Sequence, residues 1–342
     1  MSTTALVSGA SGFIAAHTVQ ELIKNGYTVV GSVRSKEKGE YVKLSGKPES
    51  FSYEIVEDIA QDGAFDEFVE KHQEATVFLH TASPFHYNVT DVEKELLKPA
   101  VDGTKNALSS IAKYGPNIKR VVITSSFLAI ASGDQDLQAD QTFDETSWNN
   151  LTWEQALESP LNGYSASKAF AEKAAWEFVK EQKPAFVLST VNPVLVFGPQ
   201  PTDYFSTEKL NTSSEIINAV LKIKSPQDEV TPYNSVGVDV RDVAKAHLVA
   251  FEKDEAKNQR LFLISASFTL QTILDVLHEK FPKQTENVPV GKPGSGQEDI
   301  ETRAKKNDDK TRKILGFELI SVEQSFADSA RQILQVEGRL DK

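Results

Sequence analysis

The sequence predicts an α/β fold, a doubly wound and mostly parallel sheet with helices on both faces, followed by a smaller C-terminal lobe. Three observations predict it. Strand-like runs alternate with runs of helical periodicity through the first half of the chain. The strand runs are continuously apolar rather than alternating, as in sheets buried on both sides. The first strand is followed at once by a glycine-containing turn that opens a helix.

Taken in order, "TALVS" at residues 4–8 is a short β-rich run, and "GASGFIAAHTVQELIKNG" follows with apolar residues at helical spacing up to Gly26. "YTVVGSVR" reads as the second strand and "FSYEIVED" as the third. "AFDEFVEKHQ" is a helix, "TVFLHTA" the fourth strand, "VEKELLKPAVDGTKNALSSIAKYG" one long helix and "RVVITSS" the fifth strand. From Gly133 to Pro160 the rhythm is lost in an acidic stretch, read as a long excursion. Periodicity returns with a helix around Tyr164, a single strand over "FVLSTVNPVLVFGP", and "GVDVRDVAKAHLVAFEK", a strand end leading into an amphipathic helix. "RAKKNDDKTRKILGF" reads as a solvated, mixed-charge helix start. "GKPGSG" at 291–296 lacks the Gly-Lys-Ser/Thr ending of a phosphate loop and reads as a tight surface loop.

Composition closes several classes of chemistry. The 342 residues are 39% hydrophobic and 9% aromatic, enough for a substantial core and about two domains. The net charge of −12 disfavours nonspecific attraction to nucleic acid or anionic membranes. With no cysteine, thiolate nucleophiles, disulfides and zinc-thiolate sites are excluded. His80 and His86 form the closest histidine pair and lack carboxylates at metal-ligand spacing, so no metal is expected. The start of the chain has no basic segment leading into a long apolar run, and no stretch approaches the ~18 apolar residues of a membrane span. A soluble cytoplasmic protein is therefore expected, and the sequons at Asn88, Asn150 and Asn211 are chance matches.

The turn Gly9-Ala10-Ser11-Gly12-Phe13-Ile14 lies between the first strand and first helix. A residue without Cβ lets backbone approach a pyrophosphate there, and the helix N-terminus offers free N–H groups to the anion. The first half thus reads as a Rossmann dinucleotide-binding domain, residues 1–198 plus about 237–262. Residues of about 199–236 plus 263–342 form the smaller lobe, expected to bind substrate. An acid at the end of the second strand would select NAD, but Gly31 and Ser32 stand there and Arg34 and Lys38 follow. A guanidinium can grip a 2′-phosphate that a carboxylate would repel, so NADPH is expected. Asp58 and Ile59 are placed to meet the adenine, and the small residues Thr81, Ala82 and Ser83 to allow close approach of the cofactor.

The fifth strand ends in two hydroxyls, Ser125 and Ser126. Tyr164 and Lys168 follow, one helical turn apart on one face. About one such pair is expected by chance in this composition, so its meaning comes from the conjunction with the other signals in the right order. A tyrosine that protonates a carbonyl must lose its proton near neutral pH, and a neighbouring ammonium favours its phenolate. Ser126 would then hold the carbonyl oxygen.

At these residues the sequence resembles the short-chain dehydrogenase/reductase superfamily in its longer branch. "SGASGFIAAH", "VRSKEK", "LHTASPF", "VVITSS", "YSASKAFAEKAAWEF", "VNPVLVFGPQ" and "VDVRDVAKAHLVAF" look like the yeast NADPH-dependent reductases of methylglyoxal and isovaleraldehyde, relatives of dihydroflavonol and cinnamoyl-CoA reductases. The resemblance covers nearly the whole chain. It implies catalysis by Ser126, Tyr164 and Lys168, with Tyr164 and Lys168 also at the nicotinamide ribose. It adds Pro193, Val196 and Ser213 to the cofactor contacts, and Phe85, Phe127, Leu195 and Tyr204 as an apolar substrate wall. Related enzymes carry tyrosines where this chain has Phe127 and Leu195, which points to bulkier, less polar carbonyls. Its expected partner is a small-molecule carbonyl, and it is expected as a monomer or homodimer. Two rivals remain: a sugar-nucleotide epimerase or dehydratase with retained NAD, and a non-catalytic NADPH sensor.

Overall fold

The computed structural model describes residues 3–44, 48–83 and 89–341. β1 (Thr4–Ser8) leads to α1 (Phe13–Lys24), β2 (Thr28–Val33) to α2 (Lys36–Leu44), and β3 (Phe51–Ile55) to α3 (Asp66–Glu70). After β4 (Val77–His80) comes a π-helical turn, Glu93–Leu97, continuous with α4 (Lys98–Tyr114). β5 (Arg120–Thr124) is followed by a 3₁₀ turn (Phe127–Ala129), α5 (Gly133–Asp136), β6 (Thr142–Phe143), α6 (Trp153–Ala156) and the long α7 (Pro160–Gln182). Then come β7 (Val187–Pro193), β8 (Leu195–Phe197), α8 (Thr212–Leu221), β9 (Asn234–Asp239) and α9 (Val240–Glu252). The chain ends with β10 (Arg260–Leu263), β11 (Ala266–Thr269), α10 (Leu270–Lys280), α11 (Gln297–Glu301), β12 (Lys305–Lys306), α12 (Asp309–Leu315) and α13 (Val322–Val336).

Seven parallel strands form the main sheet in the order β10-β7-β5-β4-β1-β2-β3. The chain starts in the middle, runs out to β3 and returns to β4 beside β1. That reversal leaves a crevice at the carboxyl ends of β1 and β4, where open α/β sheets bind ligands. α1 packs on α9 over one face and α4 on α7 over the other. Alternate residues of each strand feed the two cores: Val7, Leu79 and Val122 face the first, Leu6, Phe78 and Val121 the second. A third core, around the mutually edge-on rings of Phe197, Phe268 and Phe326, fills the smaller lobe.

The structure departs from the sequence reading in four places. Within "RAKKNDDKTRKILGF", read as a solvated helix start, Lys305–Lys306 form β12, Lys306 pairs with Asp136, and Ala304 and Thr311 are buried. Residues 186–199 are two strands: β7 stays in the main sheet, while β8 joins a second sheet of order β11-β9-β8. Pro193 has no N–H to extend the β7 ladder, and the chain changes sheets just after it. The single helix expected over 92–115 begins as a π turn, because Pro99 cannot donate to the previous turn and its ring crowds it. The excursion is ordered. Capping boxes at Ser132 with Gln135 and Thr152 with Gln155 fix its two short helices, and β6 pairs with β12.

Candidate active site

The glycine turn lies at the switch point. Gly9 has φ +65°, and a Cβ on it would stand 2.8 Å from Ala82 Cα, so both its conformation and its closeness to the β4 exit require glycine. Gly12 N donates to Gly9 O at 2.9 Å, and Ala10 N to Ser32 O at 3.0 Å, which closes the turn against β2. Gly12 starts α1 with no side-chain cap, and no acid stands in the first turn. The N-terminal amides of α1 at Phe13 and Ile14 are therefore ready for an anion.

Ser8 organises the neighbouring turn. Its Oγ accepts from Thr81 N and Ala82 N, both at 3.1 Å, so its own proton goes to His80 Nδ1 at 2.9 Å. Burial pushes the His80 imidazole down to about 4, with the nearby Lys168 charge adding to the effect, and the ring is neutral. Thr81 Oγ1 donates to Ser8 O.

Gly31 and Ser32 hold no acid, and each has a packing task. A Cβ on Gly31 would meet Ala10 Cβ at 2.6 Å, and Ser32 Oγ accepts from Gly9 N at 3.3 Å. Arg34 and Lys38 are exposed just beyond, at the start of α2, and neither side-chain cation has a partner among the described residues. Asp58 lies three residues past the end of β3, is exposed, and accepts from Ala60 N at 2.9 Å. Ile59 packs on α4, where a Cβ on Gly103 would approach its Cδ1 to 2.8 Å. These residues fit a 2′-phosphorylated dinucleotide: uncapped amides for the pyrophosphate, two free cations, and no competing carboxylate at the second strand's end.

Ser126 follows β5 directly and caps the next 3₁₀ turn, its Oγ accepting from Leu128 N at 3.1 Å. Its hydroxyl proton stays available to a ligand oxygen. Tyr164 and Lys168 sit on α7, which packs against that turn. The Lys168 ammonium is 5.5 Å from the Tyr164 ring centroid and donates to Ser83 Oγ at 3.0 Å. Burial pushes the ammonium down to about 8, and no carboxylate counters the shift. Asn149, fully buried in the excursion, donates from Nδ2 to Leu128 O at 2.7 Å and to Ser165 Oγ at 3.0 Å. It thereby staples the serine turn to the tyrosine helix.

The expected wall residues differ in burial. Phe127 is buried and stacks on Phe262 with centroids 5.6 Å apart; Leu195 is half-buried against the small-lobe core; Tyr204 is 71% exposed. Phe85 lies outside the described residues, as does His86. Pro193 and Val196 are buried at the strand change, and Ser213 Oγ donates to Val196 O. Trp148 lies over Arg260, and Trp153 stacks on Phe170. Sequence reading missed Glu172, Arg260 and Asn192, which meet beneath Ser126. The available signal was a carboxylate at Glu172, four residues beyond Lys168 on a helix stripe otherwise rich in alanine. Among the described residues no group of acids and histidines could hold a metal, and no helix is long and apolar enough to cross a membrane.

The chain is similar to known proteins over nearly its full length. It is 52% identical over 340 residues to the putative NADPH-dependent methylglyoxal reductase GRP2 of Candida albicans, covering 97% of this chain and 99% of the relative. It is 47% identical over 339 residues to the NADPH-dependent methylglyoxal reductase GRE2 of Saccharomyces cerevisiae, covering 98% and 99%. Among solved structures, yeast methylglyoxal/isovaleraldehyde reductase Gre2 complexed with NADPH superimposes with a TM-score of 0.95 at 46% identity, covering 99% of this chain and all of that one. Residues 5–265 match the NAD dependent epimerase/dehydratase family. With that match spanning most of the chain and such relatives on the same fold, the chain belongs to the NAD dependent epimerase/dehydratase family.

Proposed function

We propose that this chain reduces aldehydes and ketones to alcohols with NADPH, Tyr164 donating the proton. The carrying observation is the Lys168 ammonium, buried, with no acid partner among the described residues and 5.5 Å from the Tyr164 ring. Lowering a tyrosine from its ordinary pKa of ~10 towards neutrality needs ~4 kcal/mol of preference for the phenolate. A desolvated positive charge one helical turn away acts in that direction, and more strongly than a solvated one.

The uncapped start of α1 would hold the pyrophosphate, and Arg34 and Lys38 the 2′-phosphate. When bound, NADPH supplies the hydride that carbonyl reduction requires. Ser126 donates its free hydroxyl proton to the substrate oxygen and fixes its direction. Tyr164 passes its phenolic proton to that oxygen, and Lys168 stabilises the phenolate left behind. The similarity to NADPH-dependent methylglyoxal reductases supports both the cofactor and the carbonyl substrate. Arg34, with no acid at Gly31 or Ser32, favours this reading over an epimerase that retains NAD. Leu195 in place of a polar residue supports substrates bulkier and less polar than methylglyoxal.

The test follows NADPH absorbance with a panel from methylglyoxal and isovaleraldehyde to aryl ketones, for the wild type and Tyr164→Phe, with NADH as control. Tyr164→Phe should lose roughly 10²–10⁴-fold in kcat while still binding NADPH. Tight NADPH binding without turnover of any carbonyl by the wild type would favour a sensor instead.

A further inference from the structure

We propose that Glu172, charge-paired with Arg260 and linked through Asn192, is a positioning residue that sets the serine segment against the Tyr164 helix; this rests on the carbonyl-reductase reading above. Glu172 is on α7, two turns from Tyr164 and one from Lys168, and is 1% exposed. A carboxylate that deep is unfavourable unless its charge and lone pairs are answered. All are answered here. Oε1 accepts from Arg260 Nε at 2.6 Å and Trp176 Nε1 at 3.1 Å. Oε2 accepts from Asn192 Nδ2 at 2.6 Å and from Ser125 Oγ.

Two of these partners act on the catalytic segment directly. Ser125 is the neighbour of Ser126, and Asn192 Nδ2 also donates to Ser126 O at 3.2 Å. Asn192 is itself oriented by Thr190 Oγ1, which donates to its Oδ1 at 2.7 Å. Arg260 extends the network outward. It donates to Glu145 O at 3.0 Å, Ser147 O at 2.5 Å and Ala129 O at 3.4 Å, and stacks 3.9 Å from the Trp148 ring. One carboxylate thus joins the helix bearing Tyr164 and Lys168, the strand end bearing Ser126, and the excursion that covers both.

Ser126 and Tyr164 arrive on different elements and must point at one carbonyl oxygen. Ser126 Oγ bonds within its own turn only to Leu128 N, so its placement depends on where its backbone is held. None of these residues touches the site where a carbonyl would react, so their effect is on alignment, and an error of about 1 Å costs on the order of 100-fold in rate.

The experiment compares Asn192→Ala, Glu172→Gln and Trp176→Phe with wild type and Tyr164→Phe, using NADPH and isovaleraldehyde at a temperature where circular dichroism shows each protein folded. NADPH affinity is read by fluorescence. Asn192→Ala is expected to lower kcat roughly 10–100-fold with NADPH affinity within about threefold, because it cuts the link to Ser126 and leaves the cofactor turns alone. Glu172→Gln should behave alike. Trp176→Phe removes one bond to the same carboxylate but touches neither serine, and should keep wild-type kcat. If Asn192→Ala retains kcat within twofold, or loses no more than Trp176→Phe, the positioning role is wrong whatever happens to melting temperature. Should Glu172→Gln fail to fold, Asn192→Ala still decides. Failure of the underlying reading looks different: wild type itself would show no turnover, or Tyr164→Phe would match it.

Discussion

Lys168 shows how one residue's environment writes its chemistry. It has a hydroxyl partner and an aromatic neighbour but no acid, so burial alone sets its proton affinity and pushes it down to about 8. The sign follows from the direction of the shift. Below about 8 the side chain is an ammonium and favours the Tyr164 phenolate; as pH rises past that value the charge is lost, well before an ordinary lysine would release its proton near ~10.4. In the nucleotide-free protein, NMR of labelled lysine methylenes should therefore show one resonance, absent in Lys168→Met, with a midpoint near 8. A midpoint above 10 for that resonance would mean the ammonium is better solvated than its surroundings indicate.

At the level of elements, α7 explains both what could be read in the sequence and what could not. The helix around Tyr164 was legible from the Tyr164–Lys168 spacing, but not its start at Pro160, where Ser159 Oγ accepts from Asn162 N inside the stretch read as excursion. The glycine turn, the unalternating strands and the basic pair Arg34 and Lys38 after β2 were legible for the same reason, since each is a local rule. Non-local features were not. Glu172 looks like any helix glutamate until strands β7 and β10 bring Asn192 and Arg260 to it, and the excursion looks irregular because its order comes from β12, more than 150 residues later. Gly163 is another such case. In a helix it is a poor residue, yet a Cβ there would stand 2.2 Å from Val92 Cγ1 and 3.3 Å from Ala156 O, where α7 crosses the π turn. Gly163→Ala gains helix propensity of about 1 kcal/mol, but crowding a β-branched neighbour costs about 1–3 kcal/mol. Chemical denaturation should show a net loss of roughly 1 kcal/mol; a stabilised variant would mean Val92 moves aside freely.

Across the whole molecule, the sheet's central carboxyl edge rests on two buried neutral histidines, and this makes acid its weak direction. His80 Nδ1 accepts a hydrogen bond from Ser8 Oγ under the glycine turn. His247 on α9 donates from Nδ1 to Val243 O at 2.7 Å and accepts at Nε2 from Thr124 Oγ1 at 2.6 Å, directly behind Ser125. Burial pushes both down to about 4. The unfolded chain binds a proton at each near pH ~6.5 while the folded chain resists until about 4, so the unfolded state carries more protons throughout that window. Stability accordingly rises with pH across the window and is lost as pH falls through it, by up to about 3 kcal/mol per histidine. Neither loss needs a carboxylate to be protonated. The melting temperature of the nucleotide-free protein should therefore be flat near neutrality and drop steeply between pH 6.5 and 4, before most acidic side chains titrate. In His247→Gln the slope in that interval should fall, since one of the linked protons is gone while those of His80 and His17 remain. An unchanged slope would place the acid sensitivity elsewhere, with His17, whose imidazole burial also lowers and which bonds Pro199 O at 2.9 Å between α1 and the smaller lobe, as the next residue to replace.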